Sequence, residues 1–194
     1  MPNWCNNSFT ITGCVESIKD LWDTAQTAGD DGGFGLLNAI CPMPKELEGT
    51  TADGSAGPNW YNWRVANWGT KWDVSDEGLE FIDNGDGTAC ITGWFDSAWA
   101  PPIGAYEQLA ADFDSCVIEC SYYEPGMDFG GFWSSERGDE YFEDLQSLLE
   151  QPTEEWDERF SAFEVEYDLL SEEHRFEEEN LEIDLDGGLS AINE

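Results

Sequence analysis

The chain has 194 residues, is 40% hydrophobic and 14% aromatic, and sets 43 Asp and Glu against seven Lys and Arg, a net charge of −36. That length and apolar fraction suffice for one buried core with a smaller appended unit, and exclude a wholly disordered acidic tail. The charge argues against direct nucleic-acid binding, which needs Lys and Arg to neutralise phosphates, and the lack of an 18-residue apolar run argues against a membrane span.

Residues Met1 to Asn7 carry neither a basic segment nor an apolar run of the signal type, so a soluble, unexported, cytoplasmic protein is expected. Alternation then starts the first strand, Ser8 to Thr12, with Phe9 and Ile11 on one face and Ser8, Thr10 and Thr12 on the other. Val15, Ile18, Leu21, Trp22 and Ala25 follow at helical spacing and stop before Gly29. Between about residues 34 and 66, Pro42, Pro44, Gly49, Gly54, Gly57 and Pro58 break any regular period, which predicts an insertion with a short helix or two.

Trp72 to Ser75 and Leu79 to Asp83 read as strand segments, and the Gly85-Asp86-Gly87 turn leads into a further strand, Ala89 to Phe95. The segment Ile82 to Thr88 has the flavour of a calcium loop, but aligning Gly87 with the required glycine puts Ile82 and Gly93 at ligand positions. It is read as a hairpin turn. Pro101 and Pro102 open a helix whose Ile103, Tyr106, Leu109, Ala110 and Phe113 face inward, and Cys116, Ile118, Cys120 and Tyr122 then alternate with Val117, Glu119 and Ser121. Strand, helix, strand, strand, helix, strand is the order of a ferredoxin-like split βαβ domain, here in residues 1–138. The fold class expected is α+β: that domain with its insertion, plus an acidic helical extension over 139–194.

Four dispersed motifs narrow the comparison: PNWC at Pro2 to Cys5, NWGTKWD at Asn67 to Asp73, Trp99-Ala100-Pro101-Pro102, and Tyr123-Glu124-Pro125-Gly126. Over about residues 1–133 the chain resembles the YubB-like, Api-type ferredoxin-like-domain family of phage and conjugative-plasmid proteins. The resemblance implies the fold and an origin on a mobile element. It brings no catalytic residues, and the acidic extension lies outside the matching pattern.

The extension holds 21 of the acids against Arg159 and Arg175. Tyr141, Leu145, Leu148 and Leu149 predict a first helix, opened by Asp139 and closed before Pro152. Trp156, Phe160, Phe163, Tyr167 and Leu170 predict a second, capped by Thr153, with one apolar stripe. On its wheel Glu154, Glu158 and Glu172 lie opposite the stripe; Asp157, Glu164, Asp168 and Glu179 cover one flank; and Glu155, Glu166 and Glu173 cover the other. His174, the single histidine, continues the stripe with Glu177 and Glu178 one turn on, too thin a set for a metal site. Glu182, Asp184 and Asp186 alternate with Leu181, Ile183 and Leu185 as a short strand.

From Glu154 to Glu179 the net charge is about −10 over about 39 Å of helix, against about 11 phosphates along one strand of B-DNA of equal length. These acids, through Asp186, are therefore the candidate partner-binding residues of a DNA mimic. The function expected is a non-enzymatic anti-defence protein that blocks the nucleic-acid groove of a basic host complex, such as a CRISPR effector or restriction enzyme. A solvated face and a halophile's surface are the bland explanations of the same charge.

The alternative is a nucleotide or single-strand binding module with an autoinhibitory acidic tail. Trp68, Trp72, Trp94, Trp99 and Trp133 would line its site, although packing is the commoner use of indoles. No catalytic set, resident metal or cofactor is expected: nothing in the spacing singles out a carboxylate pair, and no phosphate-binding loop occurs. The six cysteines form no CxxC pair and read as reduced, mostly buried thiols; a zinc site from Cys5, Cys14, Cys116 and Cys120 is weakly signalled. Lys71 is expected to pair with a carboxylate near Asp73.

Overall fold

The computed structural model describes residues 3–52, 57–113, 115–149, 161–163 and 167. Two compact units divide the chain, Met1–Glu143 and Asp144–Glu194. The first contains a six-stranded antiparallel sheet in the order β2-β3-β1-β4-β5-β6.

Its strands are β1 (Trp4–Cys14), β2 (Leu79–Asp83), β3 (Thr88–Ala98), β4 (Val117–Glu124), β5 (Phe129–Ser134) and β6 (Gly138–Glu143). The helices are α1 (Val15–Ala25), α2 (Leu36–Ile40), α3 (Trp60–Asn67) and α4 (Ile103–Asp112), with a 3-10 turn at Lys45–Leu47. With α1 and α4 as crossovers, β1 to β4 form the ferredoxin-like split βαβ unit. β5 and β6 then widen the sheet on the β4 side.

Alternation along β1 explains why one face closes. Cys5, Asn7, Phe9 and Ile11 are buried while Asn6, Ser8, Thr10 and Thr12 point the other way, as period-2 geometry requires. On the closed face Phe9 stacks on Tyr106 at 5.5 Å and lies 6.0 Å from Phe95. The 3.6-residue period places Ile18, Leu21 and Ala25 of α1 inside, and Tyr106 and Leu109 of α4 with them. The hairpin at residues 83–88 is held by Asp side chains: Gly85 N–H donates to Asp83 Oδ1 at 2.9 Å and Thr88 N–H to Asp86 Oδ1 at 3.0 Å.

Two expectations are corrected. Residues 72–75 are not a strand; Asp73 instead turns inward to accept Leu37 N–H at 2.8 Å and Asn38 N–H at 2.9 Å, satisfying orphan donors at the start of α2. Asp139 opens no helix, because Gly138–Glu143 is β6, and Tyr141 stacks on Phe129 of β5 at 5.5 Å. The spacing of Tyr141 and Leu145 suits a helix, but cross-strand aromatic contact outweighs it. The first unit therefore reaches Glu143 rather than 138.

In the second unit the helix α5 spans Leu145–Leu149. Residues 161–163 and 167 are helical, and the Phe163 and Tyr167 rings lie 4.7 Å apart, the expected i,i+4 contact of the apolar stripe. The other predicted features of the extension, including the Leu181 to Leu185 strand and His174, lie outside the described residues.

A tryptophan and carboxylate corner as the candidate binding site

The four motifs of the first unit, far apart in sequence, meet at one corner of the sheet. Antiparallel pairing sets Trp4 opposite Ala98, so the end of β1 lies beside the Trp99 corner, and Trp99 N–H donates to Asn3 O at 2.9 Å. Asn3 Nδ2 in turn approaches Glu124 Oε2 at 3.5 Å, and the buried Glu124 carboxylate accepts Gly126 and Met127 N–H, each at 2.8 Å. Thr70 Oγ1 donates to Ala98 O at 2.9 Å and accepts Ala98 N–H at 3.0 Å, tying the second motif to the third. Trp99 has φ +70°, a backbone region that bulky residues rarely occupy and that marks a position held by its surroundings.

Aromatic rings and a lysine cover this corner. Lys71 Nζ sits 4.1 Å from the Trp72 ring centroid, 5.5 Å from Trp99 and 5.9 Å from Tyr61, while Trp4 packs on Trp72 at 5.9 Å. The expected pairing of Lys71 with a carboxylate is thus corrected to cation–π contact, which suits a half-buried ammonium among electron-rich faces. Burial raises the Asp73 carboxyl above its ordinary range, against the lowering effect of three backbone N–H donors and Arg64.

Two cavities flank Trp72 and Trp4. One, of about 490 Å³, is lined by Asp30, Asn38, Met43, Thr50, Trp60, Arg64 and Trp72, among others. Arg64 is 3% exposed, pairs with Asp30 at 2.5 Å and lies between the Trp60 and Trp68 rings, 5.4 and 4.7 Å from their centroids. The other, of about 250 Å³, is lined by Trp4, Asp73, Ser75, Glu77, Gly78, Trp94, Phe95 and Asp96.

The five tryptophans singled out by sequence divide between packing and surface. Trp68 and Trp133 are buried core, whereas Trp94 and Trp99 are exposed. Trp4 and Tyr61 were not in that set. Counting the β1 period back from Thr12 and Ser8 puts Trp4 on the open face, and this signal would have found it. On the open face β1 shows Asn6, Ser8, Thr10 and Thr12, with Thr10 and Thr92 hydroxyls 2.7 Å apart, so the centre of the sheet offers no stack of rings for bases.

The fifteen carboxylates from Glu154 to Asp186 named as partner-binding residues lie outside the described residues. Among the described residues no group of three or more His, Cys, Asp or Glu is arranged to hold a metal, and the six cysteines are free thiols. Burial pushes Cys5 and Cys120 well up, which makes them poor thiolates. No helix among the described residues is long and apolar enough to cross a membrane.

Residues 67–182 match the family model described as the ferredoxin-like domain in Api92-like protein. The match begins at the NWGTKWD motif and runs through most of the acidic extension, correcting the expectation that this extension falls outside the family pattern. A crystal structure of Api92 from Yersinia pseudotuberculosis is similar at 20% identity and a TM-score of 0.39, over 55% of this chain and 38% of that one. No curated protein matches the chain in sequence.

Proposed function

The chain belongs to the family of ferredoxin-like domains in Api92-like proteins, and on that premise we propose that it is a non-enzymatic acidic inhibitor that occupies the basic nucleic-acid groove of another complex. One observation carries this reading: the five cations of the first unit form no cluster that could grip phosphate; four sit beside carboxylates or indoles, and the fifth, Lys45, is an exposed single charge. Lys19 pairs with Asp23 at 2.5 Å, Arg137 with Glu140 at 3.5 Å, Arg64 is buried with Asp30, and Lys71 faces indoles. With 43 acids against seven bases, a net charge of −36 leaves a strongly acidic surface. Such a surface repels nucleic acid and is drawn to whatever grips it.

Within this proposal the acids Glu154 to Asp186 form the groove-filling track, the gene belongs to a phage or conjugative plasmid of the YubB-like group, and the target is a cytoplasmic host defence complex of the CRISPR or restriction type. The test is affinity purification from a host lysate with and without competitor DNA. A bound nucleic-acid-handling complex that DNA displaces is the expected result. Capture indifferent to DNA, or inhibition unchanged after Glu154, Glu155, Asp157 and Glu158 become Gln, rejects the reading.

The cavity at Trp60, Trp72 and Arg64 favours a second reading, a nucleotide-binding module with the acidic tail as its mimic. Nucleotide titration of the whole chain, followed by tryptophan fluorescence and compared with Trp60→Ala, separates the two. Because β6 ends at Glu143, removal of the tail has to begin after that residue.

A further inference from the structure

We infer that the cavity between Trp4 and Trp94 is a receptor for one cationic side chain, the guanidinium of an arginine on a basic protein partner. The identity of the partner as basic rests on the reading above; the chemistry of the slot stands on its own lining.

Trp94 is the most exposed tryptophan among the described residues, at 59%, yet its place is tightly built. Its N–H donates to Gly78 O at 3.0 Å, and its indole lies so close to Gly78 that a Cβ there would stand 2.6 Å from Cε2 and 2.7 Å from Cδ2. Gly93 just before it has φ +135°, and a Cβ there would stand 2.0 Å from Gly78 O. Two glycines thus let strand β3 and the 73–78 segment close up so that an indole is pressed against main chain on one side. An aromatic held this way but left open to solvent has lost its conformational freedom before any partner arrives, which favours binding.

Across the slot, Trp4 is 45% exposed and braced by Trp72. Asp96, two residues along β3 from Trp94 and on the same face, accepts Asn6 Nδ2 at 2.6 Å, so its carboxylate is oriented rather than swinging. Glu77 completes the acidic rim; Asp73 also lines the slot, but its carboxylate is taken up by the Leu37, Asn38 and Val74 N–H groups. Indole faces beside carboxylates attract a cation through ring quadrupole and charge together. Arginine fits better than lysine, because its planar fork can stack on a ring while its edge bonds a carboxylate. A nucleotide would bring phosphate against two carboxylates, Glu77 and Asp96. The protein already uses the same chemistry internally, at Arg64 on Trp68 and Lys71 on Trp72.

The probe is acetyl-Gly-Arg-Gly-amide titrated into the full chain, followed by the indole N–H resonances in nitrogen-15 NMR, with the citrulline peptide as the neutral isostere. The Trp4 and Trp94 signals should move in a saturable way with arginine and at least fivefold more weakly with citrulline. Trp94→Ala and Asp96→Asn should each weaken the arginine peptide at least fivefold, and Trp94→Phe should restore part of the loss. Equal binding of the two peptides, movement of other indoles only, or no saturable shift overturns the slot. No groove takes part in this titration, so its failure leaves the groove-filling proposal standing. Conversely, arginine binding with DNA-indifferent capture would retain the slot and remove the groove.

Discussion

On one face of the sheet Phe9, Ile11, Ile91 and Ile118 are fully buried with residues of α1 and α4, whereas on the other the alternate residues Ser8, Thr10, Thr12 and Glu119 of the same strands remain polar. The difference separates two roles within each strand: odd positions of β1 hold the core together, and the even positions from Asn6 to Thr12 place half-buried polar side chains on the opposite face. It also shows how the aromatics are distributed. On the open face the two middle strands offer hydroxyls and a carboxylate, and rings flank them, Trp94 of β3 opposite Ser8 and Phe132 of β5 opposite Ser121.

Substitutions at neighbouring residues can break this comparison. Phe9→Ala should cost the most, about 3–5 kcal/mol, because it empties a site enclosed by Phe95 and Tyr106. Urea unfolding measures it, and a loss below about 1 kcal/mol would mean that the closed face is not the core. Gly131→Ala should cost about 1–3 kcal/mol by overpacking: the new Cβ would stand 2.3 Å from Glu140 O and 2.6 Å from Tyr122 Oη, which donates to Asp139 at 2.6 Å. Unchanged thermal stability would show that β6 is not a fixed member of the sheet.

Asp73 sharpens the comparison through pH. Its folded-state value lies above the ordinary 3.8, so folding favours its protonated form. The stability it contributes is full below about pH 3.9 and is lost as pH rises through the raised value. Measured against Asp73→Asn, the wild type should thus lose relative stability from acid toward neutral pH; a difference that grows instead would contradict burial as the dominant cause. Thr10→Ala should have the smallest effect, about 0.5–1 kcal/mol, since it removes one hydroxyl contact with Thr92.

The first four strands and both crossover helices were legible because each carries a clean period: Phe9 and Ile11 at two, Ile18, Leu21 and Ala25 at helical steps. β5 was not, since Phe129-Gly130-Gly131-Phe132 has no alternation to read; Gly131 is there to admit the Tyr122 ring and the β6 backbone. The convergence of Asn3, Thr70, Trp99 and Glu124 was also hidden, because backbone and side-chain hydrogen bonds across up to 121 positions leave no local trace. What sequence did supply were the motifs themselves, and the exposed Trp4 was recoverable from phase alone. The expectation that the acids from Glu154 to Asp186 fill a groove rests on charge density, which reports an attraction but not the surface that expresses it.

The two terminal strands of the sheet, β2 and β6, carry Glu80 and Asp83 on one side and Asp139, Glu140 and Glu143 on the other. A strand at the border of a sheet can invite another copy to add itself, and like charge at both borders of the described sheet repels that addition. This protection is sensitive to ionic strength. As salt screens the border charges, copies should begin to join strand to strand at high salt before the core gives way.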